Sequence, residues 1–222
     1  VREAAAQLAR VGWARVARCH APADLLAAAA RELEALGPEM LPGGTPSGDP
    51  TYRQDRSYTL RMALGSEPLS EPPAGAAGED WSSDEDRFPA LCAVGCGVEW
   101  LAGQIASQVP GMRLAASHCP MVARYDPGCR YGPHIDSDGA DGRILTAVYY
   151  LNPLWDASLG GALRLHLDGG ELFDICPVED TLVLFRADRV VHEVRPGHDR
   201  RFALSVWFVG GADLCRPGGD GP

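Results

Sequence analysis

The sequence has 222 residues, 45% of them hydrophobic, which is enough to bury the core of one large domain or two small ones. Its formal net charge of −10 argues against binding to nucleic acid, because phosphates are neutralised by clustered cations. All 20 basic residues are arginines, so an anionic ligand must be anchored by arginine, and Schiff-base chemistry through lysine is excluded.

The first 120 residues predict helices with short extended segments between them. The predicted helices are residues 2–10, 22–36 and 88–109, and the predicted strands are residues 11–19 and 57–62. The second helix is clearly bounded, because Pro22 suits a first helical turn and Gly37–Pro38 ends it. Residues 42–55 are rich in Gly and Pro and predict a loop, while residues 65–86 predict a solvent-exposed acidic insert.

From residue 121 onward, short β-rich runs follow one another with turn signals between them. The predicted strands are residues 121–125, 144–151, 161–167, 171–175, 181–185 and 201–209. Short strands at this regular spacing predict an antiparallel sandwich or barrel. Because the predicted helices are all N-terminal, we expect them to support one sheet from outside, which gives the fold class α+β.

The run RYGPHIDSDGADGR, residues 130–143, places His134 and Asp136 one residue apart before a predicted strand. Residues i and i+2 of a strand point to the same face, so both side chains are predicted to face the barrel interior. His192 precedes the last strand and is the candidate for a third ligand. Two imidazoles and one carboxylate form the facial ligand set of non-haem Fe(II) oxygenases. Taken alone, an H-x-D pair is weak evidence, because such pairs are more often ordinary surface polar residues than metal ligands.

A candidate anchor for an organic anion lies on the last strand. On the last strand one face is shared by Arg201, Ala203, Ser205 and Trp207, and on strand 144–151 one face is shared by Ile144, Thr146, Val148 and Tyr150. If the second face is inward, Tyr150 lies beside the same cavity as Arg201. Burying an arginine is costly unless it meets an anion. Arg201 with the phenol of Tyr150 suits the distal carboxylate of 2-oxoglutarate, whose other end chelates iron. The alternative for Arg201 alone is a surface residue that begins a strand.

The segment from about Met121 to Val209 resembles the prolyl 4-hydroxylase family of Fe(II)/2-oxoglutarate dioxygenases. It is most similar to the intracellular prolyl hydroxylases that act on hypoxia-inducible factor and to their protist and bacterial relatives. The shared runs, in the same order, are H-I-D, DGR, YYLN, WDA, GG-A-L-R, HEV-P and R-F-A-L-S-V-W. Residues 1–120 match the family in element order only.

This resemblance implies a single dioxygenase domain over residues 1–222 with a double-stranded β-helix (jelly-roll) core at 121–209. Residues 1–120 would then supply helical support, outer strands and a mobile loop. The implied roles are iron binding for His134, Asp136 and His192; 2-oxoglutarate binding for Arg201, Tyr150, Tyr125, Leu163, Ser205 and Trp207; and substrate binding for Arg143, Tyr131, Arg53 and Asp55. Pro133 stands where the animal enzymes carry arginine, and the loop 42–51 shares no clear side chains with them, so the substrate groove differs.

The expected reaction is hydroxylation of a prolyl residue at C4 in a protein substrate, using Fe(II), 2-oxoglutarate and O2, with ascorbate supporting activity and succinate and CO2 as products. Arg130 and Arg143 near the mouth favour acidic residues beside the target proline. One alternative is an oxygenase of free proline or another small molecule. Another is a catalytically idle binding barrel, against which the complete ligand set argues.

The expected setting is a cytoplasmic or nuclear monomer that binds neither nucleic acid nor membrane. Seven cysteines are scattered along the chain, which favours reduced thiols over a disulfide framework. Cys92 and Cys96 are spaced like metal ligands, but no second ligand pair accompanies them. No apolar run approaches the roughly 18–20 residues needed to span a bilayer.

Overall fold

The computed structural model describes residues 1–44, 48–62 and 83–210. The helices are α1 (Arg2–Val11), α2 (Ala23–Leu36) and α3 (Pro89–Ala106). The strands are β1 (Trp13–Ala17), β2 (Leu41–Pro42), β3 (Arg56–Thr59), β4 (Leu114–Ser117), β5 (Met121–Tyr125), β6 (Tyr131–His134), β7 (Arg143–Tyr150), β8 (Leu163–His166), β9 (Leu172–Ile175), β10 (Thr181–Arg186), β11 (Val191–Val194) and β12 (Arg201–Gly210).

The strands form two antiparallel sheets that pack face to face. The large sheet has the order β1-β10-β7-β12-β5-β3-β2, with β4 paired to β12, and the small sheet has the order β6-β11-β8-β9. Leu163, Leu165 and Ile175 of the small sheet pack against Val148 and Phe185 of the large one. This is the architecture of a jelly roll, and it confirms the predicted fold class.

Alternation along β12 explains how one strand serves two layers. Its even-numbered members Phe202, Leu204, Val206 and Phe208 are buried in the core that includes the three helices. Its odd-numbered members Arg201, Ala203, Ser205 and Trp207 point to the opposite face and line a cavity between the sheets. Because side chains alternate with period two, a single apolar strand builds the helix-side core and one wall of the cavity.

The helices cover the outer face of the large sheet. The carboxylate of Glu32 in α2 accepts hydrogen bonds from the backbone amides of Ala90 (3.0 Å) and Leu91 (2.8 Å) at the start of α3. A helix leaves its first amides unpaired and favours negative charge there, so this contact joins the two helices. Helix α3 is long and apolar enough to cross a membrane, but nine of its 18 residues are buried, which is typical of a core helix.

The structure corrects the sequence predictions at two places. Strand β6 ends at His134, so Asp136 lies beyond the strand and its orientation does not come from strand alternation. The predicted insert 65–86 lies outside the described residues up to position 82, and Asp84 is fully buried rather than exposed. Its carboxylate accepts hydrogen bonds from the hydroxyl of Tyr58 and the backbone amide of Arg61, and this pairing accounts for its burial.

Candidate metal centre and co-substrate cavity

Three predicted ligands come together at one end of the cavity. His134 on β6 and His192 on β11 are directly opposite each other in the register of the small sheet, with ring centroids 4.2 Å apart. Oδ1 of Asp136 lies 3.5 Å from Nε2 of His134 and 3.7 Å from Nε2 of His192. One ligand atom from each residue lies within 4.8 Å of the others, and no second such group of His, Cys, Asp or Glu occurs among the described residues.

The orientation of both imidazoles is fixed by the backbone. Nδ1 of His134 lies 2.9 Å from the carbonyl oxygen of Gly132, and Nδ1 of His192 lies 3.1 Å from that of Val190. A carbonyl oxygen only accepts, so Nδ1 carries the proton in each ring and Nε2 presents its lone pair. Hydrogen bonds of this type hold metal-binding histidines in the ligating tautomer.

The protonation states of the cluster also suit a cation. Burial lowers the pKa of His192 to about 4, although the charge of Asp136 acts in the other direction. Burial alone would raise the pKa of Asp136, but the positive charge of protonated His192 and the hydrogen bond from Thr146 outweigh it and lower that pKa. At neutral pH the cluster therefore holds a neutral His192 and an ionised carboxylate, which are the forms that bind a metal.

The cluster opens into a cavity of about 350 Å³ between the two sheets. Nearly all the predicted site residues line this cavity; Tyr150 and Asp55 are the exceptions. Tyr150 is completely buried beside it, and Asp55 is turned toward Arg53. Arg130 is not among the lining residues; its Nε donates to the carbonyl of Thr51.

Arg201 is the charged group of the cavity wall away from the metal cluster. It is 2% exposed, its Nε has no hydrogen-bond partner, and no acidic side chain among the described residues forms an ion pair with it. Its guanidinium carbon lies 5.1 Å from the ring centroids of both Tyr125 and Tyr150. A buried arginine without an acid is costly, so this position favours an anionic ligand.

The two tyrosines beside Arg201 remain neutral phenols. Burial raises the pKa of Tyr150 and that of Tyr125, and Arg201 offsets only part of the effect in each case. The hydroxyl of Tyr150 has no hydrogen-bond partner. Native proteins rarely leave buried polar atoms unpaired, so Tyr150 and Arg201 together offer two free donors to a bound acceptor.

The loop that ends at Asp55 is attached to the metal-bearing strand. Arg53 binds the carboxylate of Asp55 through two hydrogen bonds of 2.7 and 2.9 Å, and its guanidinium lies 4.8 Å from the centre of the Tyr131 ring. Tyr131 in turn stacks on His134 at 3.7 Å. Of the predicted substrate-binding pair, Arg53 therefore faces the cavity, and Asp55 fixes its position. Residues 45–47 of the same loop lie outside the described residues.

The opposite rim combines an arginine with an aromatic ring. The guanidinium carbon of Arg143 lies 5.4 Å from the Trp207 ring, and its Nε is 3.1 Å from a carboxylate oxygen of Asp141. The sequence placed Thr146 on the same strand face as Tyr150, but no role was predicted for it. In the structure its hydroxyl donates a 2.7 Å hydrogen bond to Oδ2 of Asp136.

This combination of fold and site is matched by a known class of proteins. Residues 120–209 match the family model of the 2OG-Fe(II) oxygenase superfamily. Within that class the resemblance to prolyl hydroxylases is confirmed. The prolyl hydroxylases EGLN3 of Mus musculus and Homo sapiens are each 44% identical over 92 residues, or 40% of this chain. The matched segment spans 38% of their length, which is well under half.

Solved structures match over nearly the whole chain. A prolyl-4-hydroxylase from Pseudomonas putida is 28% identical with a TM-score of 0.71, covering 94% of this chain and 97% of its own. A prolyl hydroxylase from Trichoplax adhaerens, in complex with a hypoxia-inducible factor oxygen degradation domain peptide fragment, has a TM-score of 0.76 at 23% identity. It covers 93% of this chain and 87% of its own, and at that identity it supports the fold alone.

Proposed function

We propose that this protein is an Fe(II)- and 2-oxoglutarate-dependent dioxygenase that hydroxylates a prolyl residue of a protein at C4, giving succinate and CO2. One observation carries the proposal: a single cavity combines the His134, Asp136 and His192 cluster with the buried, unpaired guanidinium of Arg201. A metal cluster alone would fit many hydrolases, and an arginine alone would fit many anions. Their combination suits a co-substrate that is both a chelator and a carboxylate.

The residues fit the implied metal. Two neutral imidazole nitrogens and one carboxylate oxygen form the donor set typical of non-haem Fe(II) sites with open positions. Fe(II) bound there would supply the redox chemistry, in which 2-oxoglutarate is oxidised to succinate and CO2, one atom of O2 enters succinate and the other enters a C–H bond. His134, Asp136 and His192 would hold the ion, and the backbone carbonyls behind the two histidines would keep them oriented.

The residues also fit the co-substrate. Nε of Arg201 and the hydroxyl of Tyr150 are buried and unpartnered, and a carboxylate can accept from both. The wall around the co-substrate would be completed from both sheets. It would consist of Tyr125 on β5, Leu163 on β8, and Ser205 and Trp207 on β12. Enclosure between the sheets would exclude water and strengthen the pairing with Arg201.

A protein-bound proline is the substrate that the similarities favour. The named relatives are prolyl hydroxylases, and one of them carries a peptide fragment in its solved structure. In this chain the cavity mouth presents Tyr131 and Trp207, whose rings suit an apolar pyrrolidine, together with Arg53 and Arg143. An extended peptide could supply main-chain hydrogen bonds to such a groove while one pocket admits the proline ring.

The remaining parts of the proposal concern setting and organisation. We place residues 1–222 in one domain, with 1–120 as support and 121–209 as the catalytic core, and the packing of α3 on the large sheet supports this. O2 is the oxidant, and ascorbate would keep the iron reduced. The acidic net charge supports the proposal of no nucleic-acid partner. We also propose that the protein is a monomer of the cytoplasm or nucleus and has no membrane partner.

The decisive experiment compares substrates. The protein with Fe(II), 2-oxoglutarate and ascorbate is offered an acidic proline-containing peptide or free L-proline, and a matched peptide with proline replaced by alanine serves as control. We expect succinate formation coupled to a mass gain of one oxygen atom on the proline peptide only. Efficient hydroxylation of free proline, with none of any peptide or of proteins in a lysate, would favour the small-molecule oxygenase. No turnover with any substrate despite metal binding would favour the idle barrel.

A further inference from the structure

Asp136 is held in place differently from the two histidines of its cluster. His134 and His192 lie on β6 and β11, and each ring is oriented by the carbonyl two residues earlier in the chain. Asp136 lies two residues beyond the end of β6, where no strand pairing fixes the direction of its side chain. Among the described contacts, the donor to its Oδ2 is the hydroxyl of Thr146 at 2.7 Å.

Thr146 is a rigid donor. It is 1% exposed in β7, and its neighbours in the sheet are Phe185 on β10 and Trp207 on β12. A β-branched side chain has restricted χ1 freedom, and close packing on both sides restricts it further. The hydroxyl therefore stays directed at Asp136, and the position of Oδ2 is set by the large sheet rather than by the loop that carries the aspartate.

The two carboxylate oxygens consequently have different surroundings. Oδ1 faces the imidazole nitrogens at 3.5 and 3.7 Å, while Oδ2 is occupied by Thr146. We propose that Thr146 is a positioning residue that makes Asp136 a one-oxygen metal ligand by holding Oδ2 away from the cluster. This inference rests on the metal site of the proposed function. It adds a reason why the site remains open to a chelating co-substrate.

The geometry of six-coordination gives the consequence. Two imidazoles and one carboxylate oxygen leave three positions free, and a chelating co-substrate with O2 needs all three. If Asp136 turned and bound the metal through both oxygens, only two coordination positions would stay free. By holding Oδ2, the Thr146 hydroxyl therefore keeps open the third position, which the chelating co-substrate and O2 need. The competing explanation is that Thr146 merely satisfies a buried carboxylate, which would affect stability but not coordination.

The test compares variants that keep or remove the hydroxyl. Thr146→Val removes the hydroxyl and keeps the side-chain volume, whereas Thr146→Ala removes both. Thr146→Ser retains the hydroxyl. Thr181→Val is the matched control, because Thr181 is a buried threonine of β10 that does not line the cavity. The probes are Co(II) alone, followed by 2-oxoglutarate added to the Co(II)-loaded protein. Calorimetry gives both affinities, and the visible ligand-field spectrum of Co(II) reports its coordination.

We expect 2-oxoglutarate to bind the Co(II)-loaded Val and Ala variants at least about 10-fold more weakly, by analogy with the loss of metal affinity or activity when a partner of a metal ligand is removed. Their Co(II) spectra should change. Thr146→Ser should restore affinity and spectrum, and Thr181→Val should leave both unchanged. Wild-type affinity and spectrum in the folded Val or Ala variant would overturn the proposal.

A measurement on the unmodified protein keeps the test independent of how the variants fold. Infrared difference spectra with 13C-labelled aspartate, with and without Co(II), report the two carboxylate stretching bands. Their separation widens for a one-oxygen ligand and narrows for a chelating one, and narrowing would overturn the role of Thr146. If the wild type binds no Co(II), or binds it equally after His192→Ala, the metal site itself is wrong. That outcome is distinct from a Thr146 variant that leaves coordination unchanged.

Discussion

Replacing Arg201 by lysine should weaken the use of 2-oxoglutarate far more than it weakens iron binding. The guanidinium is 2% exposed and its Nε has no partner, so its hydrogen bonds to a carboxylate would be shielded from water. Lysine is a point charge on a shorter reach and cannot form two parallel bonds to one carboxylate. Losing one charge-assisted hydrogen bond costs about 1.5–3 kcal/mol. This corresponds to binding that is weaker by about 10- to 150-fold.

The assay is the apparent affinity for 2-oxoglutarate at fixed iron, with iron affinity measured separately. Arg200→Lys is the matched control, because Arg200 is the adjacent arginine but points to solvent, where it pairs with Glu34 at 3.0 Å. The thermal shift that 2-oxoglutarate causes in each protein separates lost binding from lost folding, since a ligand stabilises only the state that it binds. An unchanged affinity in the Arg201→Lys variant would place the co-substrate anchor elsewhere and refute the reasoning.

Three further predictions follow from other contacts. His192→Ala should abolish metal binding and turnover, because two protein ligands hold a divalent metal poorly; wild-type turnover under controlled metal would contradict the site. Burial raises the pKa of Glu99 in the folded protein, so stability contributed by its protonated form is lost as pH rises through that pKa. Glu99→Gln should therefore raise the melting temperature at pH 8 more than at pH 4, and an equal change at both would refute this. In Gly132→Ala the new Cβ would lie 2.5 Å from the Tyr52 ring, so faster amide exchange is expected over residues 48–55. Gly97→Ala, which meets open space, is the control, and equal exchange in the two variants would exclude the contact.

Much of the cavity was predictable because β7 and β12 are long β-rich runs in which residues i and i+2 share a face. Both strands are apolar on both faces, and Arg201 and Ser205 are the polar residues that mark the cavity face of β12. The ligand set was predictable from residue type and order. The roles of these residues remain predictions, although the structure brings them to one cavity.

The rest depended on long-range pairing that one sequence does not contain. Strand β6 reads YGPH, and its glycine, proline and short length give no apolar alternation. His134 lies opposite His192 because β6 pairs with β11, and the two histidines are 58 positions apart in the chain. The burial of Asp84 likewise depends on Tyr58 and Arg61, which composition cannot pair with it. Local pattern gives the faces of strands, whereas partners across space decide what those faces meet.

The division of the cavity between two sheets has a consequence for molecular size. Both histidines belong to the small sheet, and Arg201 belongs to the large one. Facing sheets pack about 10 Å apart, a gap that side chains set and that changes little. Under the proposed function, this gap sets the length of the 2-oxo dicarboxylic acid that can bind the metal at one end and Arg201 at the other. An acid one methylene shorter or longer would reach the metal or the guanidinium, but would fit poorly at the other end.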